Sequence, residues 1–258
     1  MPATGKLARA VAAAVGVAAL TTAPAGADAG LVIDIRPTHI NGSPISVPDN
    51  GDGPEYIVVP SDPGTTISLD VYARVRGTNG LDDEAFHSIH GVFRTPTGGL
   101  LGDLASQVVA PFNSIGSSHG TPMDADGDLD LDIGPIPNGG AAGGYWIARS
   151  AAPESSGVRV DANAEEWLLG TLTWTMKDGS NSLNWFIDFI RRRNPGNPGT
   201  NNAAYAAWLE DGTGPASVRN GESPYTIDSV ALVPEPTGAA ALTSLAAIGL
   251  LARRRRIT

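Results

Sequence analysis

Five aspartates in nine residues form the densest chemical grouping in this chain: Asp124, Asp126, Asp128, Asp130 and Asp132, alternating through Asp124-Ala125-Asp126-Gly127-Asp128-Leu129-Asp130-Leu131-Asp132. Carboxylate oxygens at that spacing suit a hard cation such as Ca²⁺, which gathers several oxygen ligands in flexible geometry. Gly127 permits a sharp turn through which several of them can converge. Without a cation or full hydration, the five negative charges repel one another. Two states satisfy the run: a Ca²⁺ site, or a solvated acidic loop whose carboxylates, on an extended strand, would line one exposed face.

The remaining candidates are sparser. Asp49-Asn50-Gly51-Asp52-Gly53 with Glu55 repeats the acidic-turn chemistry with fewer carboxylates. Asp82-Asp83-Glu84 and Glu165-Glu166 could supply the two acids of a glycosidase, although adjacent surface acids ordinarily serve solvation. His87 and His90 are three residues apart, so on a strand they point to opposite faces and do not converge on a metal. No nucleophile elbow, His-Glu-x-x-His or phosphate loop occurs, and a non-catalytic protein is expected. Of the tryptophans, Trp174 and Trp185 fall on apolar periodic faces and read as core. Trp167 and Trp208 are the better candidates for carbohydrate contact, since an indole face complements a pyranose ring. Arg191-Arg192-Arg193 and the Asn/Pro/Gly stretch after it read as an exposed basic loop.

Strand signals position these residues. Thr66 to Arg76 alternates cleanly, with Ile67, Leu69, Val71, Ala73 and Val75 on one face. Thr171 to Met176 and Leu183 to Ile190 repeat the pattern. Shorter strands are expected at Leu31 to Ile35, Tyr56 to Val59, Ser88 to Arg94, Gly144 to Ala148 and Tyr225 to Leu232. Turns such as Asn41-Gly42, Asp62-Pro63-Gly64 and Asn79-Gly80 separate them. Short helices are expected only around Leu81 to Phe86 and Ala203 to Glu210. The sum is an all-β chain, an antiparallel β-sandwich of cohesin-like or jelly-roll-like type. With no cysteine, disulfides and thiol chemistry are excluded.

Two resemblances bear on the central part. The aspartate run resembles the loops of dockerin and EF-hand type. It departs from them because counting Gly127 as the loop glycine places Pro122 and Ile133 at ligand positions, while counting Asp124 as first places Leu129 where glycine belongs. The ordering of TTISLDVYARV, HSIHGVFR and EEWLLGTLTWTM resembles cohesin and carbohydrate-binding β-sandwiches, which implies a binding or structural module and transfers no residue.

The two ends read as addresses. Lys6 and Arg9, the apolar run Ala10 to Leu20 and the small residues Ala25-Gly26-Ala27 form a secretory signal peptide, residues 1–27. At the other end Pro234-Glu235-Pro236 precedes an uncharged run to Ala252 and four arginines, Arg253, Arg254, Arg255 and Arg256. This order resembles the PEP-CTERM sorting signal, which implies processing by an exosortase-type membrane protease. About 16 apolar residues span ~24 Å, short of the ~30 Å hydrocarbon core, as suits a transient transmembrane anchor.

Residues 28–232 are then the exported domain and 233–258 the sorting segment. Setting aside Lys6, Arg9, the four tail arginines and Glu235 leaves 11 basic against 26 acidic residues, a charge near −15. Nucleic acid, which needs a basic face, is excluded as a partner. The expected partners are the secretion translocon, the exosortase, the membrane through the C-terminal segment, and exopolysaccharide or other surface proteins. The expected role is a structural or adhesive component of the cell surface or extracellular matrix with Ca²⁺ as its ion. The alternative is a carbohydrate-binding or glycoside-active domain.

Overall fold

The computed structural model describes residues 30–47, 54–95, 100–136, 143–179, 186–192, 206–212 and 225–234. The signal-peptide region, Asp49 to Gly53, Trp185 and the tail from Glu235 to Thr258 lie outside them. In chain order the strands begin with β1 (Gly30–Ile40), β2 (Ser43–Pro44), β3 (Glu55–Val59), β4 (Thr66–Arg76), β5 (Ala85–Arg94) and β6 (Leu100–Val108). Then come β7 (Ser118–His119), β8 (Pro122–Met123), β9 (Asp132–Ile133), β10 (Trp146–Glu154) and β11 (Val158–Asp161). The series closes with β12 (Ala164–Gly179), β13 (Phe186–Arg191), β14 (Ala206–Leu209), β15 (Tyr225–Asp228) and β16 (Val230–Pro234).

The protein is all-β, with no helix among the described residues. One sheet runs β11-β12-β4-β1-β15, with β6 beside β12 and β2 beside β1. The other runs β3-β16-β13-β5-β10-β7, and β14 and β9 also pair with β5. A single hydrophobic cluster joins them, holding Ile33, Leu69, Val71, Trp167 and Trp174 from the first sheet and Phe93, Trp146, Phe189 and Leu232 from the second. Phe93 sits 5.1 Å from both Trp146 and Phe189, centroid to centroid, in edge-on and tilted geometry. Such pairs add to what area burial alone provides.

Both sheets are mixed rather than purely antiparallel. β15 runs parallel to β1 and β16 parallel to β3, because the chain crosses between sheets at Ser229 and keeps its direction. Neither expected helix forms among the described residues: Leu81 to Glu84 is a bent connection, and Ala203 to Tyr205 lie outside the described residues. Ala85 and Phe86 open β5, and Ala206 to Leu209 pair with it as β14. Ala206 and Trp208 are buried and alternate with half-buried Ala207 and Leu209, so cross-strand pairing overrides the helix propensity of alanine. β16 runs two residues past the boundary expected at 232, to Pro234, which can end a strand because it has no N–H to pair.

A bulge in β12 decides which tryptophans are internal. The register against β4 shifts between Leu168 and Gly170. Glu165, Trp167 and Leu169 are buried before it, and Leu172, Trp174 and Met176 after it, because one extra residue reverses the parity of inward positions. β6 packs against the later half, and its inward positions include Gly102. A methyl group on Gly102 would fall 2.2 Å from the Trp174 ring. Gly102→Ala is therefore expected to lower stability by about 1–3 kcal/mol by forcing β6 off an indole that cannot move. Chemical denaturation checks this, and an unchanged midpoint would contradict it.

Candidate metal centre

The aspartate run folds into a tight loop between β8 and β9, not a strand. Its carboxylates form two overlapping triads, Asp124-Asp126-Asp128 and Asp126-Asp130-Asp132, with ligand atoms within 4.8 Å of one another in each. Asp126 belongs to both. Asp124 and Asp126 are exposed, whereas Asp130 and Asp132 have no solvent exposure. The five side chains therefore do not line one face; they run from solvent into the interior.

The backbone turns at two left-handed residues, Gly127 at φ 86° and Leu129 at φ 82°. The first is the turn foreseen for glycine, and Asp124 Oδ1 accepts the Gly127 N–H at 2.7 Å across it. The second is costly for leucine, on the order of 1–3 kcal/mol, and is held by the surrounding structure. Leu129 stands where a dockerin or EF-hand loop numbered from Asp124 has its glycine, so the backbone takes the glycine conformation without the glycine.

Both sheets hold the loop. Asp103 on β6 accepts the Leu131 N–H at 2.9 Å, and the Leu104 N–H donates to the Leu131 carbonyl at 2.7 Å. Lys177 on β12 pairs with Asp103 at 2.6 Å and donates to the Leu129 carbonyl at 3.0 Å. From the other sheet, the Thr95 N–H donates to Asp132 Oδ1 at 2.9 Å and the Thr95 hydroxyl to Asp130 Oδ2 at 2.5 Å. Arg94 lies 3.4 Å from Asp132 Oδ2.

These donors do not satisfy the carboxylates. Asp128 Oδ2, Asp130 Oδ1 and Asp132 Oδ2 are buried and accept no hydrogen bond. A buried carboxylate in that state must gain a proton or a cation. Burial pushes the Asp130 carboxyl up to about 7, opposed in part by the Thr95 hydroxyl and the Gly102 N–H and reinforced by Asp128. Burial is also the first cause of the upward shifts at Asp126 and Asp132. An all-oxygen set of this kind fits a hard divalent cation. Thr95, Asp103 and Lys177 lack any local motif; only the pairing of β5, β6 and β12 makes them part of the site.

Other expected site residues fall differently. Trp167 and Trp208 are 4% and 0% exposed, and the Trp208 Nε1–H donates to Glu210 Oε1 at 3.0 Å. Neither ring presents a face to a sugar, because the β12 bulge and the β14 pairing turn both into the core. Arg191 and Arg192 end β13 half-buried, and the Arg192 guanidinium lies 4.3 Å above the Tyr145 ring. They are not part of a free basic loop. Glu55 is buried on β3, with ligand oxygens near those of Asp34 and Asp228. Beside them Arg36 holds Glu166 through two bonds at 2.8 and 2.5 Å, and Arg74 lies 3.3 Å from both Asp34 and Glu166. The two guanidinium groups thus compensate Asp34 and Glu166. Pro234 ends β16; Glu235, Pro236 and Arg253 to Arg256 lie outside the described residues.

The raised carboxyl values fix a sign. Asp130 binds its proton more tightly in the folded state than in the unfolded chain, where its value is about 3.8. The folded state therefore loses stability as pH rises from about 4 through about 7, and the loss levels off above that. Denaturation of chelator-treated protein across this range is expected to show a falling midpoint, whereas a rising one would contradict the assignment. Comparison with protein-family models, curated proteins and solved structures finds no match to this chain.

Proposed function

We propose that this chain is an exported, non-catalytic β-sandwich of cohesin-like or jelly-roll-like type. It serves as a structural or adhesive component of the cell surface or extracellular matrix, with a fold completed by Ca²⁺ in the Asp124–Asp132 loop. The observation that carries the ion is the set of three buried carboxylate oxygens, on Asp128, Asp130 and Asp132, that accept no hydrogen bond. Asp124, Asp126 and Asp128 supply the outer ligands, and Asp130 and Asp132 the inner ones. Left-handed Leu129 supports the same reading, since the strain is repaid when the loop closes on an ion. The ion would clamp β6 of one sheet to β5 of the other, a role that needs no turnover.

Export and sorting rest on the two ends of the sequence. The Pro234-Glu235-Pro236 motif begins at the last residue of β16, so a protease cutting there would release the folded module with its final strand in place. Neither tryptophan singled out for sugar stacking is exposed, so the carbohydrate reading loses both of its named contacts.

Two outcomes test this function. Ca²⁺ at ~100 times its dissociation constant is expected to raise the melting temperature of chelator-treated protein by about 5–10 °C. Asp130→Asn should lose most of that increment while melting higher than wild type without metal at pH 8, because it removes a buried charge and keeps an acceptor for Thr95. Equal increments in both proteins would contradict the site. Mass spectrometry of the protein from its native host is expected to find a C-terminus near Pro234-Glu235-Pro236; an intact Thr258 would contradict processing.

A further inference from the structure

A second acidic constellation sits at another junction of the two sheets. After β4 the chain turns at Gly77 and reaches β5 through Asp82, Asp83 and Glu84. Glu84 and Asp82 there meet Glu165 of β12, with ligand oxygens of all three within 4.8 Å of one another. The acids that read in sequence as two separate surface groups, Asp82-Asp83-Glu84 and Glu165-Glu166, thus contribute to one cluster. Glu84 is 1% exposed and Glu165 3% exposed, while Asp82 opens to solvent. Glu165 shares its inward parity with Trp167, so the cluster lies directly beside the core.

Partners for these oxygens are few. Neither oxygen of Glu84 accepts a well-formed hydrogen bond, and neither does Glu165 Oε2. Exposed Arg159 approaches the cluster, with Nη1 3.2 Å from Asp82 Oδ1 and other donors turned to the Asp161 and Ala162 carbonyls. Burial raises the Glu84 carboxyl against the lowering pull of the Glu84, Asp83 and Gly77 N–H groups, and pushes Glu165 up to about 7, with Asp82 and Glu84 adding to that shift and the Gly157 N–H opposing it. The turn beside the cluster is tightly packed: a methyl group on Gly77 would fall 2.3 Å from the Glu210 carbonyl, 2.5 Å from Glu84 Oε1 and 2.7 Å from Asp211 Oδ1, so only glycine fits there.

We propose that Asp82, Glu84 and Glu165 form a second Ca²⁺ site, independent of the aspartate loop, that pins the β4–β5 crossover to β12. Its buried Glu84 and Glu165 carboxylates, short of well-formed donors, point to a ligand where a merely solvated acidic turn would show hydrated, exposed ones. An ion there brings charge balance that Arg159 alone does not provide. The two sites would close the two-sheet core at separate connections, each linking one sheet to the other.

Equilibrium dialysis of chelator-treated full chain against CaCl₂ tests this directly. Glu84→Gln/Glu165→Gln is expected to bind one Ca²⁺ fewer per chain than wild type, while Asp130→Asn keeps the site intact. Should the double variant fail to fold, Glu165→Gln alone is expected to weaken one class of site by about tenfold or more. The proposal is overturned if the Gln variants bind as much Ca²⁺ as wild type, or if Glu165→Gln raises the melting temperature equally with and without Ca²⁺. Asp130→Asn binding as much as wild type would instead count against the aspartate loop and leave this site standing.

Discussion

Carboxylates taken out of water without enough donors are the constraint around which this molecule is organised. Asp130 and Asp132 lie fully buried at the edge of the core, and each has an oxygen that accepts no hydrogen bond. Such a group cannot stay charged and uncompensated; desolvation exceeds what one or two donors return. The inner end of the loop is fastened on two sides, to Thr95 beside β5 and to Asp103 on β6, so Asp130 and Asp132 cannot swing out to hydrate without breaking contacts to both sheets. Compensation has to arrive from outside as protons or as a cation, and in a chain without cysteine a bound ion would supply a cross-link that no disulfide can.

The core explains why the charges sit where they do. Large rings fill the centre: Phe93, Trp146 and Phe189 on one side, and Trp174 under Gly102 on the other. Strands β5, β6 and β12 that bring those rings together also bring Thr95, Asp103 and Lys177 to the acidic loop. The ion pairs of Arg36 and Arg74 with Asp34 and Glu166 show the contrasting solution, in which buried acids are neutralised by guanidinium groups of the same chain. Guanidinium compensation is sparser at the aspartate loop, where Arg94 lies 3.4 Å from Asp132 Oδ2.

Local patterning was legible where burial is one-sided and regular. Thr66 to Arg76 forms a strand with the inward face that its alternation predicts, and Ile187 and Phe189 are buried as their spacing implies. β6 left no such trace because Gly102 and Ser106 occupy inward positions, which interrupts the apolar alternation. The bulge at Leu169 has no residue signature, yet it alone places Trp167 inside. Parallel pairing of β15 and β16 depends on a sheet crossing at Ser229, a property of the whole chain path. The aspartate run was legible as ligand chemistry from composition, but its inward gradient from Asp124 to Asp132 depends on where β9 docks against β5. Asp82, Glu84 and Glu165 were visible as acids; only the crossover geometry joins them.

The account rests on the claim that an ion displaces protons from buried aspartates. Calorimetric titration of chelator-treated protein with CaCl₂ at pH 7, run in two buffers of different ionisation enthalpy, measures binding and proton release together. Asp130 titrates near that pH, so saturable Ca²⁺ binding with net release of protons to the buffer is predicted. Absence of binding heat in both buffers, or binding with no difference between them, would contradict it.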